Sequence, residues 1–303
     1  MKAATGMKML RWAACAAALP LAAIVARAAE PAATPGSSAA ALQGRFDAMK
    51  DELGRNAFDR PLRLVSTEGA AGVTGEIYAI VGHPFSTTGG ALNKASQWCD
   101  VLILHLNTKY CRPSTDGGDT VIHMRIGKKH DQSMEQAYRV DFAYRVTSLG
   151  PSYMQATLDA REGPLGTSDY RIVLEAAPAR DGRSLVRLSY SYAFGIAGRL
   201  AMQAYLATAG RDKVGFTVTG TQPDGTPQLI GGTRGVVERN TMRYFLAIEA
   251  YLGALSAPAE GRMEKSLRDW FAGSERYPRQ LREMEQGAYL SMKRREHSRQ
   301  QPG

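Results

Sequence analysis

The sequence predicts an α+β fold, a curved antiparallel β-sheet gripping a long C-terminal α-helix, with extra C-terminal helices after it. Three observations carry that reading. Between Thr120 and Phe194, segments alternate apolar and polar residues with a period of two, separated by turn signals. From Gly235 to Ser256 the spacing becomes three and four, with Val237, Thr241, Tyr244, Ile248, Leu252 and Leu255 on one stripe. The composition of the 303 residues, 44% hydrophobic and 22% charged with 31 Gly and 14 Pro, excludes collagenous, low-complexity and disordered chains. No apolar run reaches the roughly 20 residues of a spanning helix, which excludes a polytopic membrane protein.

Residues 1–28 read as a secretory signal peptide outside the fold. Lys2, Lys8 and Arg11 give a positive start without an acid, Ala13 to Ala26 are apolar but too few to span, and Ala26-Arg27-Ala28 has the form of a cleavage site. Cleavage is expected after Ala28. Trp12-Ala13-Ala14 precedes Cys15 and the apolar stretch follows it, the reverse of a lipidation site. Loss of these residues, four of them basic and none acidic, lowers the formal net charge from +9 to +5. The remaining basic residues are scattered among acids, so no nucleic-acid partner is expected. The mature protein is expected to be periplasmic or secreted, and there the two remaining cysteines, Cys99 and Cys111, are expected to pair. The alternative is two buried thiols. No metal is expected, because His105, the candidate nearest that pair, has no companion ligands.

Residues 29–41 are a small-residue linker. Leu42, Phe46, Met49 and Leu53 then mark a helix running to about Phe58. Val73–Val81 is a strand ended by Gly82-His83-Pro84, and Ala91–Asp100 is a helix in which Leu92, Ser96 and Cys99 recur, continued by Ile103 and Leu106. The alternating strands follow at Thr120–Ile126, Tyr138–Val146, Tyr153–Ala160, Tyr170–Ala176 and Val186–Phe194, with shorter runs at Val214–Val218 and Gln228–Ile230. Spacers such as Thr115-Asp116-Gly117-Gly118 and Arg180-Asp181-Gly182 make these the hairpins of an antiparallel meander. One face carries Arg139, Asp141, Arg145, Asp159, Arg171, Glu175 and Arg187, and reads as a solvated face of cross-strand ion pairs. The other is aromatic and needs the 235–256 helix to cover it. The segment 196–209 is apolar around most of a helix, so it is either a packed core helix or a lid over an apolar opening.

This order of elements resembles the START-like helix-grip fold of the SRPBCC (polyketide cyclase-like) superfamily, over roughly residues 60–256. The resemblance rests on Gly75-Glu76-Ile77-Tyr78-Ala79-Ile80-Val81-Gly82-His83-Pro84-Phe85 as first strand and exit, on Trp98-Cys99-Asp100 at a helix end, on the meander and on the closing helix. It implies an apolar cavity between sheet and helix. Members mostly bind lipids, sterols or aromatic polyketides, and some are cyclases or hydrolases. The helix at 196–209 and the extension at 257–303 depart from the pattern, the main domain being 42–256.

Motifs with a fixed chemistry are absent, with no G-x-S-x-G, H-E-x-x-H, Walker loop or G-x-G-x-x-G after a strand. His105 with Asp100, or His123 with Asp141, could form a general-base dyad, but the sequence supplies neither with a nucleophile. The inward tyrosines are more informative. A buried hydroxyl without a partner costs about 1–3 kcal/mol, so Tyr in place of Phe suits a wall facing an amphiphile. The candidate ligand-binding residues are Tyr138, Phe142, Tyr144, Tyr170, Tyr190, Tyr192 and Phe194, with Asn240 and Tyr244 on the closing helix. Arg239 and Arg243 could hold an anionic head group or pair with nearby acids.

In the extension, Met263, Leu267, Trp270 and Phe271 form one stripe and Tyr277, Leu281, Met284 and Ala288 another. It ends with Lys293, Arg294, Arg295 and Arg299 against Glu296, and reads as a packed amphipathic tail, with peripheral contact to an anionic membrane as the alternative. Together these features point to an exported binding protein for a hydrophobic or amphiphilic, lipid-like small molecule, acting as carrier or sensor without a cofactor. An enzyme of the same fold, a cyclase or hydrolase, and an envelope protein-interaction partner are the alternatives.

Overall fold

A computed structural model describes residues 38–208 and 210–300. The signal-peptide reading and most of the linker lie outside these residues. Eight strands build one sheet: β1 (Leu62–Glu68), β2 (Gly72–Val81), β3 (Thr108–Asp116), β4 (Asp119–Ile126), β5 (Tyr138–Leu149), β6 (Met154–Glu162), β7 (Thr167–Pro178) and β8 (Ser184–Phe194). Their order is β1-β2-β8-β7-β6-β5-β4-β3, antiparallel throughout, and all neighbours but β2 and β8 are consecutive in sequence. The expected meander is therefore present, extended by a strand at each edge.

Those two edge strands carry no clean alternation. β1 puts polar Ser66 at a buried position, where its hydroxyl donates to Glu238 at 2.6 Å. β3 contains Pro113, which a sheet tolerates at its edge because the missing N–H is not needed there. Residues 39–41, read as linker, instead begin α1 (Ala39–Ala48), where Ser38 Oγ accepts from the Ala41 N–H at 3.1 Å and the alanines favour helix. Helix resumes after Met49 as α2 (Lys50–Gly54) and stops short of Phe58. The helix expected at 91–100 is α4 (Ala95–Leu102), preceded by α3 (Phe85–Gly90). After β8 come α5 (Ile196–Ala207) and a separate hairpin of β9 (Val218–Thr221) and β10 (Pro227–Leu229). Val214–Thr217 is not a strand, because the Phe216 and Thr217 N–H groups donate to the buried Glu238 carboxylate at 2.6 and 3.0 Å.

The gripped helix is α6 (Gly232–Ala254), packed on β1, β2 and β8. Gly75 on β2 lets it approach: a Cβ there would meet Thr241 Oγ1 at 2.3 Å. The core between helix and sheet joins Ile77, Val186, Leu188, Val237, Met242 and Ile248. On the opposite face, Arg145 and Arg171 both pair with Asp159 at 3.4 Å, and Arg139 with Asp141 at 2.9 Å, as the mixed charges predict. That face is not wholly solvated, however. Leu42 and Phe46 of α1 cover β7 and β8, burying Glu175 among Arg45, Arg187 and Tyr153.

Cys99 on α4 and Cys111 on β3 form a disulfide, with Cα atoms 5.2 Å apart. Closing so short a loop contributes about 3 kcal/mol. Beyond α6 the chain continues as α7 (Arg262–Glu275), α8 (Pro278–Leu281) and α9 (Gln286–Ser298). Leu267, Trp270 and Leu281 are buried as expected, but Ala288 is exposed and the inward positions fall at Tyr289, Met292 and Lys293. The C-terminal charges are also not a free basic tail. Arg294 pairs with Glu264, Arg295 with Asp131, and Lys293 with Glu296 at 2.6 Å. Lys109 of β3 reaches the other Glu296 oxygen at 3.0 Å, and all three side chains of that buried cluster are fully enclosed.

Candidate ligand cavity

A cavity of about 480 Å³ opens between the sheet and α6, a volume typical of small-molecule sites, which run from roughly 300 to 1,000 Å³. β5 contributes Tyr138, Val140 and Phe142, β7 Tyr170, β8 Tyr190, and α6 Asn240 and Tyr244. The rest of the wall comes from connections: His105 and Asn107 before β3, Ile126 to Lys128 at the end of β4, Gln132 and Gln136 beyond it, and Pro164 and Leu165 between β6 and β7. A groove of similar volume beside α1 is rimmed by Asp47, Lys50, Arg180 and Asp181 and lacks this aromatic lining.

Six of the nine expected ligand-binding residues line the cavity: Tyr138, Phe142, Tyr170, Tyr190, Asn240 and Tyr244. The other three face inward from the sheet but lie outside its wall. Tyr144 is buried with its hydroxyl sealed and unpaired. Tyr192 stacks on Tyr170 with ring centroids 5.3 Å apart, and Phe194 packs edge-on against Tyr192 under the Arg199 guanidinium. Tyr138 is half exposed and marks the rim. Alternation along a strand specifies the face of a side chain, not its distance from the cavity along the strand.

Arg239 and Arg243 do not reach the cavity directly. Arg239 donates to the Val214 carbonyl at 3.1 Å, and Arg243 to Glu283 at 2.8 Å and to Asn240 Oδ1 at 3.3 Å. The acid that holds Arg243 thus belongs to the segment between α8 and α9. His105 lies in the wall with its ring stacked on Tyr244 at 4.7 Å, and its Nδ1 accepts the Asn107 N–H at 3.1 Å. Burial, then the charges of Arg243, Lys293, Lys129 and Lys109, hold its pKa well below the usual imidazole range. It is a neutral ring and a poor base. The His105–Asp100 dyad does not form: no hydrogen bond joins them, and the Asp100 carboxyl is pushed up to about 6 by burial alone.

The second dyad does form. His123 Nδ1 meets Asp141 Oδ1 at 2.8 Å, and Ser114 Oγ meets His123 Nε2 at 2.8 Å, giving an ordered Ser–His–Asp array. Ser114 is the partner that the sequence did not disclose, because it lies on the unpredicted β3. The array sits on the solvent side of the sheet, across it from the cavity, and Arg139 shares Asp141. Among the described residues no group of His, Cys, Asp or Glu is arranged to hold a metal ion.

Beside the rim lies α5. It is not a packed core helix, since Ile196 is 82% and Leu200 61% exposed. It rests on the β6–β7 turn, where Gly198 comes so close to Gly166 that a Cβ would meet the Gly166 carbonyl at 2.8 Å. The next residue back in that turn, Leu165, reaches the cavity.

No protein-family model matches this chain, and no curated protein matches it. Among solved structures, a norcoclaurine synthase point mutant from Thalictrum flavum is 12% identical over 48% of this chain and 87% of its own, with a TM-score of 0.33. Ara h 8.0201 is 13% identical over 60% and 99%, with a TM-score of 0.34. Human StAR-related lipid transfer protein 5 is 9% identical over 56% and 88%, with a TM-score of 0.31. These likenesses are low, and the helix-grip assignment rests on the strand order and on the position of α6.

Proposed function

We propose that this protein binds a hydrophobic or amphiphilic small molecule in the cavity between the sheet and α6, and that it does so as an exported carrier or sensor. The observation that carries the reading is the aromatic cavity itself, with Tyr170, Tyr190 and Tyr244 lining one space of about 480 Å³. The Cys99–Cys111 disulfide supports an oxidising compartment. The exposed apolar side chains of α5, seated on a turn that reaches the wall, support a role as a lid for ligand exchange. Mass spectrometry of organic extracts from protein purified without detergent is expected to show one apolar molecule per chain. Protein that carries no such molecule and takes up no hydrophobic dye would overturn the reading.

A hydrolase reading is favoured by one observation, the Ser114–His123–Asp141 array with both links at 2.8 Å. Under it a fluorophosphonate probe labels the wild-type protein and spares Ser114→Ala. Under the binding reading neither is labelled, because the array stands on the solvent side of the sheet, away from the cavity.

A further inference from the structure

Two tyrosine hydroxyls in the cavity wall are left without a hydrogen-bond partner among the described residues. Tyr190 is only 5% exposed, lines the cavity, and its hydroxyl has no partner among the described residues. Tyr244 lines the same space with its hydroxyl likewise unpaired, and the two rings lie 5.2 Å apart. Burial first, and neighbouring phenols second, hold both hydroxyls above the usual phenol range, so both keep their protons. Asn240 stands four residues before Tyr244 on the same side of α6. Its orientation follows from chemistry. The Arg243 guanidinium donates at 3.3 Å and has no acceptor, so the amide oxygen faces Arg243 and the amide NH₂ is left for the cavity.

Charge points the same way. No Asp or Glu lines the cavity, whereas Lys128 stands in its wall. Behind Asn240, Arg243, Lys129 and Lys213 share a single carboxylate, Glu283. The polar end of the cavity therefore sits in a positive potential, and a guanidinium bonded to the amide oxygen strengthens the NH₂ as a donor.

We propose that this end of the cavity is a carboxylate site: an apolar acid lies along the aromatic wall, and its carboxylate oxygens accept from Asn240 Nδ2 and from the Tyr190 and Tyr244 hydroxyls. The proposal rests on the cavity reading above and adds the chemical class of the ligand. An amine could donate to the hydroxyl oxygens but would be opposed by the surrounding cations. A neutral ester could accept the same hydrogen bonds but would gain nothing from the surrounding cations.

The test is displacement of Nile red, an uncharged fluorescent dye, by decanoate and by methyl decanoate. Wild-type protein is expected to bind the acid at least about ten-fold more tightly than the ester, the advantage of hydrogen bonds to a charged acceptor. Asn240→Asp, which replaces the donor by a like charge, is expected to lose that preference by weakening the acid far more than the ester. Tyr190→Phe, which removes one hydroxyl and keeps the ring, is expected to reduce the preference about three-fold or more, because the charged acid loses the stronger hydrogen bond. Equal affinity for acid and ester in the wild type, or a preference that survives both substitutions, would overturn the carboxylate site and leave the cavity reading standing. Failure of both ligands to displace the dye, with dye uptake unaffected by Phe142→Arg, would overturn the cavity reading and the carboxylate site together.

Discussion

Phe142→Arg is expected to lower the affinity of the protein for Nile red by at least about 100-fold, an effect of nearly 3 kcal/mol. Phe142 is a buried side chain of β5 in the cavity wall, with Tyr170 packed edge-on against it at 6.4 Å. A guanidinium at that position takes up space the ligand needs. It also finds no carboxylate among the lining residues, so it draws water into an apolar site. Arg145→Ala, three residues on and on the opposite face, removes only an exposed pair with Asp159 and is expected to leave dye binding unchanged. Far-ultraviolet circular dichroism and a thermal melt of each variant separate lost binding from lost folding. Equal effects at the two positions would contradict the register of β5.

Glu296→Gln is expected to destabilise the protein by about 3–5 kcal/mol at pH 7, the usual result of removing one partner from a buried ionic group. Glu296 is the shared counter-ion of Lys293 and Lys109, and none of the three is exposed. The pH dependence follows from the lysines. Burial brings Lys293 down to about 8 even with Glu296 in place, from an ordinary 10.5, and lowers Lys109 as well. A lysine whose folded pKa is depressed makes the folded state bind fewer protons than the unfolded one. Its contribution to stability therefore rises with pH, between about 8 and 10.5 for Lys293. By pH 9.5 Lys293 is largely neutral in the folded state of both proteins, so the gap between Glu296→Gln and wild type is expected to shrink. Urea denaturation at pH 7 and pH 9.5 measures both values. A gap that stays constant would mean that Lys293 does not lose its proton between pH 7 and pH 9.5.

Much of the architecture was legible because the chain repeats simple periods. The alternation in β5, β7 and β8 put Phe142, Tyr170 and Tyr190 on one face, and the three- and four-residue spacing of α6 put Tyr244 opposite them. The rest of the wall was not legible. His105, Asn107, Lys128, Gln132 and Leu165 lie on connections, where no period governs which way a side chain points, and they converge only through the fold. Tyr192 and Phe194 were assigned to the correct face, but they lie farther along β8, beyond the wall. β3 was hidden by Pro113, and with it the partner that Ser114 makes for His123. The stretch at 293–296 reads only as the basic end of a packed tail, because sequence shows how many charges are present, not whether a carboxylate from the next turn and a lysine from a distant strand enclose one another.

The pairing of β2 with β8, Gly72 opposite Ala193 and Val81 opposite Ser184, bears on when this chain can fold. The first hairpin has no neighbour until the last strand of the sheet has been made, and α6, which packs on both, comes later still. The segment before β3 waits longer, since the Leu104 and His105 carbonyls are met by Tyr289 and Lys293. Contacts this distant carry a large loop-closure cost before they are rewarded, which places folding toward the slow, millisecond-to-second end of the known range. In a growing chain of this connectivity the consecutive hairpins from β3 to β8 can pair as they appear, while both ends of the fold wait for partners made last.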